Sequence, residues 1–417
     1  MKSNYKPIGD YIRLVDERNK GLKVETLVGL SISKQFIKSV ANTIGTDMEN
    51  YKIIRKNQFA CSTMQVRRDK KMPLALYTDF EPAIISQAYP VFEIIDEDIL
   101  TPEYLMMWFT RSEFDREACF HAVGGVRGSL EWEDFCGMKL PVPSIEKQRE
   151  IVNEYNVIQK RIELNNQLIQ KLEDTAQTIY KQWFVEFEFP NEDGKPYKSN
   201  VGKMVWCEEL EKEIPEGWER HILSNLIEIK DGTHDSPSPV EIGFPLVTST
   251  HLNSYDISFN DTYNISKDDF IQTNKRSKVE KHDILFSMIG TVGIVNYVLY
   301  DEIDFAIKNV GLFKTSEKKE VAEYVLFYLK SDYMKQYLLA NPNGSTQNYV
   351  TLGFLRAMSI LLPKNEILSK FEISIIKLVD SIHLKTIENQ KLEEMKNLLL
   401  SKMTKVEKEF ENKKQHV

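Results

Sequence analysis

A chain of 417 residues is long for one hydrophobic core, so two or more globular units are expected. Apolar residues make up 42 % and aromatics 11 %, which excludes a disordered or fibrous chain. Half of the net charge of −8 falls in one stretch, 190–219, which carries four lysines against eight acidic residues. The remainder is close to neutral and neither requires nor forbids a nucleic-acid partner.

The amino terminus, MKSNYKPIGD, has no apolar run behind its lysine, and no stretch approaches 18 uncharged apolar residues. The chain is therefore expected to be cytoplasmic, neither secreted nor membrane-spanning. Cys61, Cys119, Cys136 and Cys207 lack a CxxC pair or a histidine at metal-ligand spacing, and read as reduced thiols without a metal.

In chain order, residues 1–143 read as a mixed α/β (α+β) domain. It has β-like runs at 52–62 and 84–95 and an amphipathic helix at 104–120, set among Gly, Pro and Asn turns. Residues 144–187 are helical: Ile151, Tyr155, Ile158, Ile162, Asn165, Ile169, Leu172, Ala176, Ile179 and Trp183 keep an alternating 4,3 spacing over more than four heptads. A connector follows at 188–218, with turn chemistry at Glu192-Asp193-Gly194 and Ile214-Pro215-Glu216-Gly217-Trp218. A second mixed domain covers 219–363, with runs at 283–289 and 294–299 and a helix at 321–339. A second long helix covers 364–410, where Phe371, Ile375, Leu378, Ile382, Lys385, Asn389, Leu392, Lys396, Leu399 and Met403 repeat the spacing.

The two halves are copies. A shift of 220 residues aligns 102–183 with 322–403 without a gap: Glu103-Tyr104 falls on Glu323-Tyr324, Met138 on Met358, and Gln170-Lys171-Leu172-Glu173 on Gln390-Lys391-Leu392-Glu393. Earlier parts align with small changes of offset, Gln58-Phe59-Ala60-Cys61-Ser62 against Asp283-Ile284-Leu285-Phe286-Ser287 and Ile8 against Leu223. A unit of half the chain is far longer than a solenoid repeat. Two equivalent long helices offer each other a complementary seam, in which Asn165, Lys385, Asn389 and Lys396 would fix the register.

No GxxxxGK[ST] phosphate loop, no clustered metal-binding carboxylates and no evident nucleophile–histidine–carboxylate set are present. Asn341-Pro342-Asn343-Gly344 is first of all a turn, not an amino-methyltransferase signature. The chain looks like a binder. Phosphates are held by Lys, Arg, main-chain N–H groups and small hydroxyls, and base edges are read by Arg, Lys, Asn and Gln. In the first domain Ser31, Ser33, Lys34 and Gln35 qualify, with Gln65, Arg67, Arg68, Lys70 and Lys71 and the segment Gly124-Gly125-Val126-Arg127-Gly128-Ser129. In the second they are Lys230-Asp231-Gly232-Thr233-His234, Ser249-Thr250-His251, Lys275-Arg276, Ser287-Met288-Ile289-Gly290-Thr291 and Gly344-Ser345-Thr346-Gln347-Asn348. The same strings also suit solvated hairpin tips and turns. A degenerate methyltransferase or nuclease with two DNA-binding halves, and a coiled-coil scaffold without nucleic acid, are the competing readings.

The whole pattern resembles the specificity (S) subunit of Type I restriction-modification enzymes. The carrying segments are Lys230 to His234, Asp283-Ile284-Leu285-Phe286-Ser287-Met288-Ile289-Gly290-Thr291, Gly344-Ser345-Thr346-Gln347, and the Pro-rich helix entry Leu140-Pro141-Val142-Pro143-Ser144-Ile145-Glu146-Lys147-Gln148. In the second half that entry is reduced to Leu362-Pro363-Lys364-Asn365-Glu366, and the first domain lacks the Asp-Gly-Thr-His and Phe-Ser-Met-Ile-Gly-Thr strings. The resemblance implies a non-catalytic subunit whose two target-recognition domains each bind half of a bipartite, asymmetric site in double-stranded DNA. It implies an antiparallel coiled coil between them; a helix over 144–185 is about 60 Å long, more than one DNA turn of about 34–36 Å. It also implies two modification (methyltransferase) subunits docked on the helices and two restriction (motor-nuclease) subunits. S-adenosylmethionine, ATP and Mg would belong to those partners, not to this chain.

Overall fold

Each domain is closed by its own two ends. In the computed structural model, which describes residues 5–39, 45–124, 128–340 and 349–404, the strand Tyr5–Pro7 pairs antiparallel with Lys139–Pro141, and Glu219–Ile222 with Ser359–Leu362. The chain divides into two compact units, Met1–Ile162 with Lys391–Val417, and Glu163–Gln390. Each unit therefore holds one domain and a part of both long helices.

In the first unit an antiparallel sheet runs in the order Ile12–Val15, Val91–Ile94, Phe59–Cys61, Leu74–Leu76. The expected run at 52–62 is two strands, Lys52–Ile54 and Phe59–Cys61, because the chain reverses at Asn57 in the left-handed region (φ 67°). The core is aromatic: Phe59 stacks on Phe92 at 5.0 Å, and Phe109, Phe114 and Phe135 pack around them, all buried.

The second unit repeats that sheet in the same order, Ile229–Asp231, Val310–Phe313, Ile284–Ser287, Val295–Tyr297. It adds a small sheet of Asn264–Ile265, Phe244–Val247 and Ala306–Ile307, and the helix Lys267–Ser277, capped by Ser266. Residues 188–218 are folded too. Asn191 Oδ1 accepts from Asp193 and Lys195 N–H, Met204–Cys207 forms a hairpin with Lys212–Pro215, and Phe189 stacks between Tyr197 (4.5 Å) and Trp218 (5.2 Å).

The 220-residue repeat survives at the level of single bonds. Ile8 N–H donates to Met138 O (2.8 Å) and Leu223 N–H to Met358 O (2.7 Å). Tyr104 Oη donates to Pro141 O and Tyr324 Oη to Leu361 O. The single helices expected at 104–120 and 321–339 are each broken, into Pro102–Thr110 with Ser112–His121, and Ala322–Lys330 with Asp332–Ala340. The breaks fall on equivalent residues. Arg111 and Ser331 have extended backbones (ψ 141° and 156°); Arg111 lays its guanidinium 4.1 Å over Trp108, and Ser331 Oγ accepts from Met334 N–H to restart the helix.

The long helices are Ile145–Tyr180, which ends in a wider turn at Lys181–Val185, and Asn365–Lys402. Every seam residue named above is buried or half-buried. In the first unit Ile151 and Val152 share a core with Leu400 and Met403, and Lys396 reaches Gln159. In the second, Asn165 donates to Asn389 (2.9 Å), Asn389 donates to Asn166 (2.8 Å), and Trp183 packs on Phe371. Within each unit the pairing is antiparallel, and the amide pair specifies its register.

Candidate nucleic-acid interface

In the first domain three loops meet. The hairpin Val28–Leu30 with Phe36–Lys38 turns at residues 31–35, where Lys34 takes a left-handed conformation (φ 62°). Its side chain points inward: Nζ donates to Asp115 (2.8 Å) and to the carbonyl of Phe109, and lies over the Phe114 ring. Asp115 Oδ1 also accepts from Met72 N–H (3.1 Å). Burial pulls the Lys34 ammonium below its ordinary value, against the opposing pull of Asp115. Lys34 is thus a bolt for the hairpin rather than a contact, because a buried charge with a buried counter-charge does not reach a phosphate. Ser33 and Gln35, on either side of it, are exposed.

The second loop, residues 62–72, exposes Arg67, Arg68, Lys70 and Lys71. Arg68 pairs with Asp69, and Arg67 donates to Ala122 O (2.8 Å) and Gly124 O (3.1 Å), so its guanidinium sits at the neck of the third loop. That neck is closed by two main-chain bonds between Val123 and Ser129 (2.8 and 2.9 Å). Gly128 belongs there because a Cβ would lie 2.7 Å from Arg67 Cβ at a φ of +32°. Gly125 and Arg127 lie outside the described residues; Ser129 is half-buried in the neck.

In the second domain, strand Ile229–Asp231 delivers Lys230, which pairs with Glu228, and a buried Asp231 held by Arg276 and by His234 Nε2 (3.0 Å). Gly232 is pressed against the crossing chain: a Cβ would sit 2.4 Å from Ile307 O. Thr233 N–H donates to that carbonyl, and His234 Nδ1 bonds Asn309 Oδ1 (2.7 Å). Ser249 Oγ donates to Asn309 O and accepts from Met288 N–H, which joins the exposed Thr250 to the 288–293 loop. Lys275 and Arg276, both exposed, close the last turn of Lys267–Ser277, where cations suit the helix dipole.

Ser287 and Met288 are buried, so they build the loop instead of presenting it. Ser287 Oγ donates to Thr291 O (2.6 Å) and accepts from Ile294 N–H (2.7 Å), which holds Gly290 (φ 77°) and Thr291 at the exposed tip. Gly344, Ser345, Thr346, Gln347 and Asn348 lie outside the described residues. Two residues were missed by the motif search, Lys308 and Asn309, which stand beside Thr233 and His234. Their one signal is a polar pair interrupting the apolar run 305–313.

The loop bases of the two domains are equivalent. Leu130 N–H donates to Thr63 O and Val350 N–H to Met288 O, both at 2.9 Å, so loop 62–72 stands where loop 287–294 stands. Among the described residues no group of His, Cys, Asp or Glu could hold a metal, and no helix is long and apolar enough to cross a membrane.

Comparison with known proteins agrees with this repeated architecture. The profile of the Type I restriction modification DNA specificity domain matches residues 37–174 and 215–397. The chain is 24 % identical over 407 residues to the Type I restriction enzyme HindI specificity subunit of Haemophilus influenzae, covering 84 % of this chain and 86 % of that protein. It is 26 % identical over 325 residues to the MjaIX specificity subunit of Methanocaldococcus jannaschii, covering 74 % and 70 %. Its fold is that of the S subunit of a Type I restriction-modification system from M. genitalium (TM-score 0.52, 13 % identity, 96 % of this chain and 95 % of that one). A repeated, loop-bearing reader and a matching profile in each half place the chain in the Type I restriction-modification DNA-specificity family, as the specificity subunit that confers DNA target specificity and is the non-catalytic part of the enzyme.

Proposed function

We propose that each domain reads one half of a bipartite, asymmetric DNA site, and that the long helices are the docking surface for modification subunits. The observation that carries the reading is one sheet, in one strand order, built twice, with chemically different loops on equivalent bases. Identical halves would read identical half-sites; these two would not. In the first domain Ser33, Gln35, Arg67, Arg68, Lys70 and Ser129 are the contact set. In the second it is Lys230, Thr233, His234, Thr250, Lys275, Arg276, Gly290, Thr291 and Lys308. Cationic members hold phosphates, and Gln35 and the arginines suit base edges. S-adenosylmethionine, ATP and Mg belong to the partner subunits, the modification and, where present, restriction subunits.

The test exchanges residues 1–143 for the first domain of another specificity subunit and maps methylated bases in cells that carry the hybrid. One half of the methylated motif should change while the other half stays. An unchanged motif, or one altered in both halves, would refute the assignment of one half per domain.

A further inference from the structure

The contact face of the first domain carries an apolar patch that phosphate and base-edge hydrogen bonding leave unexplained. Phe120 is 81 % exposed, Val123 64 % and Met64 51 %. Their neighbours place them at one end of the domain. Cys119 Sγ bonds Val66 O, Arg67 donates to Ala122 O, Val123 pairs with Ser129, and Leu130 N–H donates to Thr63 O. The three side chains therefore emerge around the neck that Arg67 closes.

Exposure of a single apolar residue means little, but a contiguous set does. Among the described residues the other highly exposed phenylalanine, Phe80 at 85 %, has a cation on its ring, the Lys56 ammonium 3.7 Å from the ring centre. Phe120 meets the edge of its chain neighbour His121, at 5.4 Å, and no cation among the described residues lies over its ring. Around the patch stand Arg67, Lys70 and Lys71, all exposed, beside Arg68, which already pairs with Asp69. A partner that suits several cations and an apolar patch together is polyanionic with apolar groups set between its charges. The equivalent end of the second domain also exposes apolar side chains. Ile289, on the loop equivalent to the one that carries Met64, is 40 % exposed and bridges Tyr349, which is 43 % exposed; Leu339, near the end of the matching helix, is 80 % exposed.

We infer that Phe120, with Met64 and Val123 beside it, packs on a thymine methyl group of the DNA half-site, so that the first domain reads this base by apolar contact while the flanking cations hold the backbone. The inference rests on the proposed reading of a DNA half-site by this domain. Thymine's methyl is the apolar group that the major groove presents, and aromatic side chains are among those that meet it. Burial of a methyl is a small term, about fourfold in affinity, and burial of most of a phenylalanine ring is larger, about tenfold or more.

The test uses the complex purified through a tag on this chain, and duplexes that carry the methylated motif mapped in its source genome. Each thymine in turn is replaced by deoxyuridine, which removes only the methyl. One replacement in the half read by the first domain should weaken binding by the parent complex about fourfold. Phe120→Ala should weaken binding to the unmodified duplex about tenfold, leave the salt dependence of affinity unchanged, and show no further loss on that deoxyuridine duplex. Phe120→Leu should keep most of the sensitivity. If no deoxyuridine matters to the parent, or if Phe120→Ala still distinguishes the two duplexes, the methyl contact is overturned while specific binding of the motif still stands. A parent complex that does not prefer its motif over a scrambled duplex would overturn the underlying reading itself.

Discussion

The two recognition domains share a scaffold and differ in how they fix their loops. In the first, the hairpin tip is pinned from below by a buried ion pair, Lys34 with Asp115, whose carboxylate also ties down Met72 N–H. In the second, loop 287–294 is pinned from within by one hydroxyl, Ser287, and the neighbouring loop by a buried Asp231 between Arg276 and His234. The main-chain bonds that close each domain and seat its loops are the same in both. The comparison teaches that loop chemistry can be exchanged without touching the scaffold, provided each loop brings its own anchor.

Breaking the first anchor should have the largest effect. Asp115→Ala leaves the Lys34 ammonium buried beside Phe114 with no counter-charge, which costs about 3–5 kcal/mol. The first unit should melt several degrees lower, and recognition of its half-site should weaken, while the other half-site is read as before. A thermal melt that matches the parent's would show that the ion pair does not anchor the hairpin.

The second anchor is smaller. Ser287→Ala removes both the bond to Thr291 O and the acceptor for Ile294 N–H, and should cost about 1–3 kcal/mol. Ser62, at the equivalent place in the first domain, contacts Pro73 O through its main-chain N–H. Ser62→Ala should therefore stay within about 0.5 kcal/mol of the parent. Equal losses in chemical denaturation would mean that the loops are held alike after all.

The smallest effect concerns acid. Glu280 bonds Lys278 and Lys314, and these two ammonium groups hold its carboxyl down at about 2, below its ordinary 4.5. Because the folded value is the lower one, this stabilisation is present above about pH 4.5 and is lost as pH falls toward 2. Glu280→Gln should accordingly flatten part of the acid limb of the second unit's stability curve, and leave stability near pH 7 slightly reduced. An acid limb identical to the parent's would exclude the assignment.

The repeat, the two long seams and the absence of phosphate-loop and metal-binding motifs were legible in the amino acids, because each rests on spacing along the chain. Heptad periodicity and a 220-residue offset need no knowledge of contacts, and the aligned Tyr104 and Tyr324 make equivalent bonds in the structure. The candidate interface was legible only as residue types. Lys34 and Arg67 look alike in sequence, yet one is a buried bolt and the other stands at a loop neck, since their roles depend on Asp115 and on the carbonyls of Ala122 and Gly124, tens of residues away. Ser287 and Met288 sit in the family string but are buried, whereas Lys308 and Asn309 carry no motif and lie beside His234. Linear periodicity decides which face of a helix seeks a partner, so the sequence by itself determined the doubled architecture and the helical seams. Which polar groups face solvent depends on burial and on partners distant in the chain, so only the tertiary structure decided which lysines, arginines and hydroxyls are anchors and which face solvent.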